Sequence, residues 1–418
     1  MQDQRNIRTQ TMSDKKIYVY LNQDNNDILV GYLWSHIKGI SESASFQYAE
    51  SWLEYPNAFA IDPSLYLTTG QQYTSKPLFG AFTDCAPDRW GKLLMTRFEQ
   101  NTAKEENRTP RKLNDIDYLT RVNDEARQGA LRFKYQPDRD FIFPADLKPI
   151  PPLIKLPELL SASEKITENN ETSQDLKLLL APGSSLGGAR PKASVIDNDG
   201  DLCIAKFPKK DDTGNIVLWE AVALNLAKQA GLNVPIWKVV NVLDKPILLI
   251  KRFDRKKNKR IPFISAMTML SATDGDHNFS YQNIADIIRQ HSSEPEKDLT
   301  ELWRRIIFSI LISNTDDHLR NHGFLRLDNH GWRLSPVYDV NPNPDNTSML
   351  STAICEGVYE TSLENALSVA EYFNLSQEKA QKIINEVQFA TSQWKRVAHQ
   401  LGLSSEEIHS MEMVFHNI

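Results

Sequence analysis

The chain holds no apolar run of the length a bilayer requires, and its opening residues, Met1 to Asn6, lack the apolar core of a signal peptide. A soluble, cytoplasmic protein is the expectation. Cysteine is scarce: Cys85, Cys203 and Cys355 lie far apart and are odd in number, which supports neither a disulfide framework nor a zinc site. Metal chemistry, if present, must use oxygen ligands. An excess of basic charge is also missing, since the formal net charge is −6, so nucleic-acid contact must be local or lent by a partner. No internal repeat and no long biased tract appears. What is present is 418 residues with 40% hydrophobic content, enough for two or three packed units with sizeable cores.

Four segments can be separated. Residues 1–15 read as a polar, disordered extension. Residues 16–140 are mixed, with a hairpin from Ile17 to Leu33 turning at Gln23 to Asp27, and a helix from about Arg89 to Asn101. Residues 141–262 begin with recurring prolines and a polar stretch, Ser161 to Gln174, which reads as an extended linker followed by a short helix near Asp175 to Leu180. Then come a hairpin around Asp197 to Gly200, an amphipathic helix from Leu218 to Ala230, and a second hairpin of Trp237 to Val242 with Pro246 to Arg252. Residues 263–418 are mainly helical, with periodic segments at Leu299 to Ser313, Ser362 to Tyr372 and Gln377 to Leu401.

The densest chemistry lies at Ile312 to Asn321, where Asp316, Asp317, His318 and Asn321 follow a long apolar helix. Asp316 and Asn321 (321 − 316 = 5) have the spacing of a protein-kinase catalytic loop, in which the Asp receives the substrate hydroxyl's proton and the Asn holds magnesium. A second carboxylate, Asp339, follows a short strand pattern at Trp332 to Val337. Upstream, Gly183, Gly187 and Gly188 stand among Ser184, Ser185, Arg190 and Lys192, a set whose amides, hydroxyls and cations suit phosphate or an ordinary glycine turn. Lys206 sits inside an apolar strand and needs an anionic partner, for which Glu220 in the next helix (220 − 206 = 14) is the candidate. A snorkelling lysine and a solvated glutamate are the alternative.

Glycine loop, strand Lys, helix Glu, Asp-x-x-x-x-Asn and strand-following Asp occur in kinase order. With Lys251 to Arg255, Phe79 to Gly91 and Val122 to Phe133, they make the chain resemble the HipA-like serine/threonine kinases of bacterial toxin–antitoxin systems from about residue 16 to the C-terminus. The resemblance implies an α+β, bilobal protein-kinase-like fold: a mixed β/α N-terminal subdomain (16–140), an N-lobe with glycine loop and hinge (141–262), and a helical C-lobe (263–418). It further implies ATP and Mg as cofactors, Asp316 as the catalytic Asp, Asn321 and Asp339 as magnesium ligands, and Lys206 as the phosphate-contacting Lys. Ser185, Gly187, Gly188, Lys192 and Glu220 would complete the ATP site. Lys251 to Phe253 would be the hinge that meets adenine, with Asp254 near the ribose. His318 either orients the phosphates or is satisfied within its own loop. Ser185, or the adjacent Ser184, would be a site of autophosphorylation. A protein substrate such as an aminoacyl-tRNA synthetase and a HipB-like antitoxin, through which DNA is met indirectly, are also implied.

The basic run from Lys251 to Arg260 reads as a solvated hairpin tip, with a docking patch for an acidic partner as the alternative. Asp274-Gly275-Asp276 lacks the other acidic positions of a calcium loop and reads as a turn. A small-molecule kinase and a non-catalytic, ATP-gated binding or repressor module remain as the other functional readings.

Overall fold

The computed structural model describes residues 15–415 except 40, 143–148, 184–187, 213, 258, 277 and 346–347. In the first strand, Lys15–Gln23, Ile17, Val19 and Leu21 are buried in alternation, the period-two pattern that packs one face of a sheet. The ladder to Asn26–Lys38 continues as far as Gln23 opposite Asn26. The turn is therefore only Asp24 and Asn25, both at positive φ (50° and 66°), shorter than the expected Gln23 to Asp27. These strands, with Ser41–Tyr48, Gln72–Thr74 and Leu131–Lys134, build a five-stranded sheet in which the Lys15–Gln23 strand pairs with Leu131–Lys134.

A helix at Arg89–Glu105 leaves this subdomain and buries Trp90, Leu94 and Met95 in a second core. That core corrects the expected linker, because residues 156–167 form a helix, Leu156–Thr167, rather than extended chain. Leu156, Leu159, Leu160, Ser163 and Ile166 recur at i, i+3, i+4, so one stripe is buried although Ser161 faces outward. Pro157 in the first turn starts the helix, since its missing N–H is unneeded there. The next helix runs Ser173–Gly183. Packing is continuous across residue 140: Trp90 and Leu94 share a core with Leu159, Leu179, Ala205 and Leu249.

The smaller lobe is a four-stranded antiparallel sheet in the spatial order Lys192–Ile196, Leu202–Lys206, Lys245–Lys251, Trp237–Val242, with the helix Ile216–Gln229 between its second and third chain members. Its register sets Lys192 directly opposite Lys206. Pairing of Leu202–Lys206 with Lys245–Lys251 sets Leu248 opposite Lys206 and Lys251, the end of that strand, opposite Cys203.

The helical lobe is centred on Pro295–Leu311, which buries Leu302, Trp303, Ile306, Ile307 and Ile310. Two of its expected long segments are interrupted. Residues 377–401 form two helices, Gln377–Thr391 and Trp394–Gln400, and the break lets Trp394 stack on Phe415 at 4.4 Å. Residues 362–372 form a short helix, Leu363–Ser368, then a 3₁₀ turn closed by Asn374 at φ 57°. Among the described residues, no helix is long and apolar enough to cross a membrane.

Candidate active site between the lobes

A cleft lies where the two lobes and the N-terminal subdomain meet, enclosing about 1080 Å³ when its open mouth is counted. From the smaller lobe it takes Gly188, Lys192, Ile204, Lys206, Ile250 and the segment Lys251 to Asp254. From the helical lobe it takes Phe263, His318, Arg320, Asn321, Tyr338 and Asp339.

Lys206 is the centre of the charged end. Its Nζ donates to Glu220 Oε1 at 2.5 Å and to Asp339 Oδ1 at 2.9 Å, so the snorkelling alternative does not describe it. Burial opposes the ammonium, but Asp339 and then Glu220 outweigh it and raise the Lys206 pKa. Lys206, then Lys192, holds the Asp339 carboxyl far below its ordinary range, against the effect of burial. Glu220 goes the other way, pushed up by burial although Lys206 opposes this. Lys192 shares the strand pair with Lys206, and burial lowers it to about 8 while Asp339 pulls it up.

Gly188 has φ 80°, a conformation that favours glycine, and a Cβ there would meet Lys192 Nζ at 2.8 Å. The loop lies against Lys192, and a side chain here would be strained by the positive φ. Ser184, Ser185 and Gly187 lie outside the described residues. Asp339 also has positive φ (55°), an uncommon conformation for a residue with a side chain and one found at functional sites.

The 312–321 segment is braced from several sides. Tyr338 Oη donates to Arg320 O at 2.5 Å, Ser351 N to Thr315 O at 2.7 Å, and Asn321 Nδ2 to Asp316 O at 3.2 Å. The two adjacent carboxylates diverge. Asp317 is buried, accepts Tyr281 Oη at 2.6 Å and faces His322 Nε2 at 3.1 Å. Burial opposes its charge, but His322 and the hydrogen bonds of His322 and Tyr281 lower its pKa overall. Asp316 is exposed at the loop surface; it is two residues from His318 but does not itself line the cleft. Nδ1 of His318 is buried without a hydrogen-bond partner among the described residues.

Asp254, expected near the ribose, lines the cleft and is also heavily engaged by protein donors. Its side chain is 2% exposed, with Arg252 Nε on Oδ1 at 2.6 Å, and Arg252 Nη2 (2.5 Å), Arg255 Nη1 (2.8 Å) and Gly129 N (2.7 Å) on Oδ2. Three of these donors converge on Oδ2 and one on Oδ1, so only Oδ1 keeps a lone pair that a sugar hydroxyl could use. Much of the basic run is likewise not a solvated tip. Arg252 and Arg255 also donate to the carbonyls of Ala126, Arg127 and Gly129, and Arg260 reaches Asp124 at 2.8 Å. The arginines clamp the N-terminal subdomain to the hinge, whereas Lys256 and Lys259 stay exposed. Lys251 pairs with Asp201, and Phe253 lies 5.5 Å from the Tyr338 ring.

Thr83, Asp84, Ala86, Asp88 and Gln128 of the N-terminal subdomain form a third wall that the motifs did not reveal. Asp88 caps the Arg89–Glu105 helix and accepts Gly188 N on Oδ2 at 2.7 Å. Although burial opposes its charge, the Gly188 amide and Arg320 lower its pKa. Pro87-Asp88 before a helical pattern is a helix-start signal. Nothing local announces that the cap also holds a loop 100 residues away.

Asp339 and Asn321 both line the cleft and carry side-chain oxygens, and among the described residues no group of three His, Cys, Asp or Glu is placed to hold a metal ion. This donor set fits magnesium, which is commonly bound through one or two carboxylates plus phosphate oxygens and water.

Known proteins share this fold. Over 96% of this chain and 95% of its own, HipA of Shewanella oneidensis, solved in complex with HipB and operator DNA, superposes with a TM-score of 0.64 at 16% identity, which establishes the common bilobal α+β fold. A putative kinase of Sinorhizobium fredii is 24% identical over 322 residues, 71% of each chain. A putative kinase of Haemophilus influenzae is 28% identical over 200 residues, 40% of this chain, and the match spans 57% of that relative's length. The HipA N-terminal domain model matches residues 19–134 and the HipA-like C-terminal domain model residues 184–394, so the chain belongs to the HipA-like family.

Proposed function

We propose that this chain is an ATP- and magnesium-dependent serine/threonine protein kinase of a cytoplasmic toxin–antitoxin pair, with its N-lobe at 141–262 and its C-lobe at 263–418. The observation that carries the reading is the Glu220–Lys206–Asp339 chain of contacts, 2.5 and 2.9 Å, at the end of the cleft that also holds Lys192, His318 and Asn321. In this reading Lys206 and Lys192 hold phosphate oxygens, Ile204 and Ile250 flank the base, and Asp316 accepts the proton of the attacking hydroxyl. Asn321 and Asp339 would hold the magnesium ion, whose chemistry is to neutralise charge developing on the transferred phosphoryl group. The substrate class is a protein of the translation apparatus, such as an aminoacyl-tRNA synthetase. The partner is a HipB-like antitoxin, through which this chain of net charge −6 meets DNA.

Incubation with γ-labelled ATP tests this. Label is expected on the protein itself or on a lysate protein, and a chelator added beforehand is expected to abolish it. Label appearing only on small molecules favours the metabolite-kinase alternative; no transfer by a protein that binds ATP favours the non-catalytic one.

Ser185, or Ser184, is the proposed autophosphorylation site. A phosphoserine there brings about −1.5 to −2 charges into the loop that is to hold the γ-phosphate, so the modified protein is expected to be inactive. Intact-mass measurement after Mg-ATP treatment should show one added phosphate that disappears when both serines are replaced by Ala. Unchanged mass in an active wild type rejects the switch.

A further inference from the structure

Asp254 lines the cleft but is largely committed to Arg252, Arg255 and Gly129, and the third wall offers a further polar group. We propose that Gln128 of the N-terminal subdomain hydrogen-bonds the ribose hydroxyls of the bound nucleotide, so that this subdomain forms part of the substrate site; the inference rests on the ATP reading above.

The argument is one of availability. Along the hinge side of the cleft, Lys251 pairs with Asp201, Thr83 Oγ1 donates to Phe79 O at 3.2 Å, and Ser265 Oγ donates to Asp84 at 2.7 Å. Gln128 also lines the cleft and is half-buried, yet the described residues give its side-chain amide no partner. Its backbone is fixed from both sides. The carbonyl accepts the Cys85 thiol at 3.6 Å, and the next residue, Gly129, donates its N–H to Asp254 Oδ2 at 2.7 Å and accepts Arg255 on its carbonyl at 3.0 Å. Gly129 also packs on Phe263, itself a residue of the cleft wall. A held, unpaired amide therefore stands next to a carboxylate already engaged by two arginines. A glutamine amide has both an acceptor oxygen and two donor hydrogens, which match the two neighbouring hydroxyls of a ribose. One of the contacts that engage Asp254, the Gly129 N–H, also fixes the backbone beside Gln128.

The measurement is calorimetric titration of the full-length protein with ATP and with 2′,3′-dideoxyATP. Wild type is expected to bind the dideoxy nucleotide about 3- to 10-fold more weakly, the size of one or two ordinary hydrogen bonds. Gln128→Ala is expected to bind both equally, at the wild-type dideoxy affinity. Equal wild-type affinities for the two nucleotides overturn the proposal without recourse to any variant, as does a Gln128→Ala protein that still discriminates. If wild type binds neither nucleotide, the ATP reading itself fails and takes this inference with it; binding without discrimination removes the inference alone.

Discussion

Asp316→Asn is expected to lower phosphoryl transfer by about 10²- to 10⁴-fold, the usual contribution of a positioned proton acceptor, while ATP binding is retained. The substitution is clean because the loop uses the backbone of residue 316, not its carboxylate. His318 N and Asn321 Nδ2 both donate to the Asp316 carbonyl, at 3.0 and 3.2 Å, and these bonds survive in the amide. Asp317→Asn differs in kind. It removes the charge facing His322 at 3.1 Å and weakens the acceptor of Tyr281 Oη in a closed interior, so a fall in thermal midpoint should accompany any loss of turnover. Rate assays with melting curves on the two variants separate a chemical role from a structural one. Wild-type turnover by Asp316→Asn would reject Asp316 as the base.

The adjacency of these two carboxylates shows where sequence reading reaches its limit. The five-residue spacing from Asp316 to Asn321 is visible in the chain because both residues belong to one tight loop. Which carboxylate faces outward depends on Tyr281 and on His322, and the tyrosine comes from a separate helix. Lys206 and Glu220 were legible for a similar local reason: a strand and the helix after it place them 14 residues apart, and a lysine amid Ile204, Ala205 and Phe207 requires an anion. Asp88 and Gln128 were not. Each lies in a segment that resembles the family, but its position at the cleft depends on packing of the N-terminal subdomain against residues 100 or more places away. The Leu156–Thr167 helix was obscured because proline and serine read as linker, while the decisive signal was the spacing of five buried residues. Charge misled in the Lys251 to Arg260 run. Density of basic residues suggests solvent until the carboxylates that neutralise them, Asp254 and Asp124, are seen beside them.

Those arginines give the second large effect. Asp254→Asn leaves the guanidinium groups of Arg252 and Arg255 buried beside a neutral amide, and breaking a buried pair in this way typically costs about 3–5 kcal/mol. A urea titration at neutral pH, followed by the combined fluorescence of the eight tryptophans, should show this loss as a lower midpoint. The pH dependence has a definite sign. Burial raises the Asp254 pKa, but Arg252 and then Arg255 more than reverse this, so the folded value lies far below the ordinary one. A carboxyl depressed on folding stabilises the protein above its unfolded pKa of about 3.9, and the contribution is lost as pH falls from there towards the folded value. The gap between wild type and Asp254→Asn should therefore be constant through neutral pH and narrow below about pH 4. An equal gap at acid pH would mean that the loss comes from shape or hydrogen bonding rather than charge. No gap at all would mean that the carbonyls of Ala126, Arg127 and Gly129 suffice to hold the arginines, and that the hinge is clamped to the N-terminal subdomain by backbone acceptors alone.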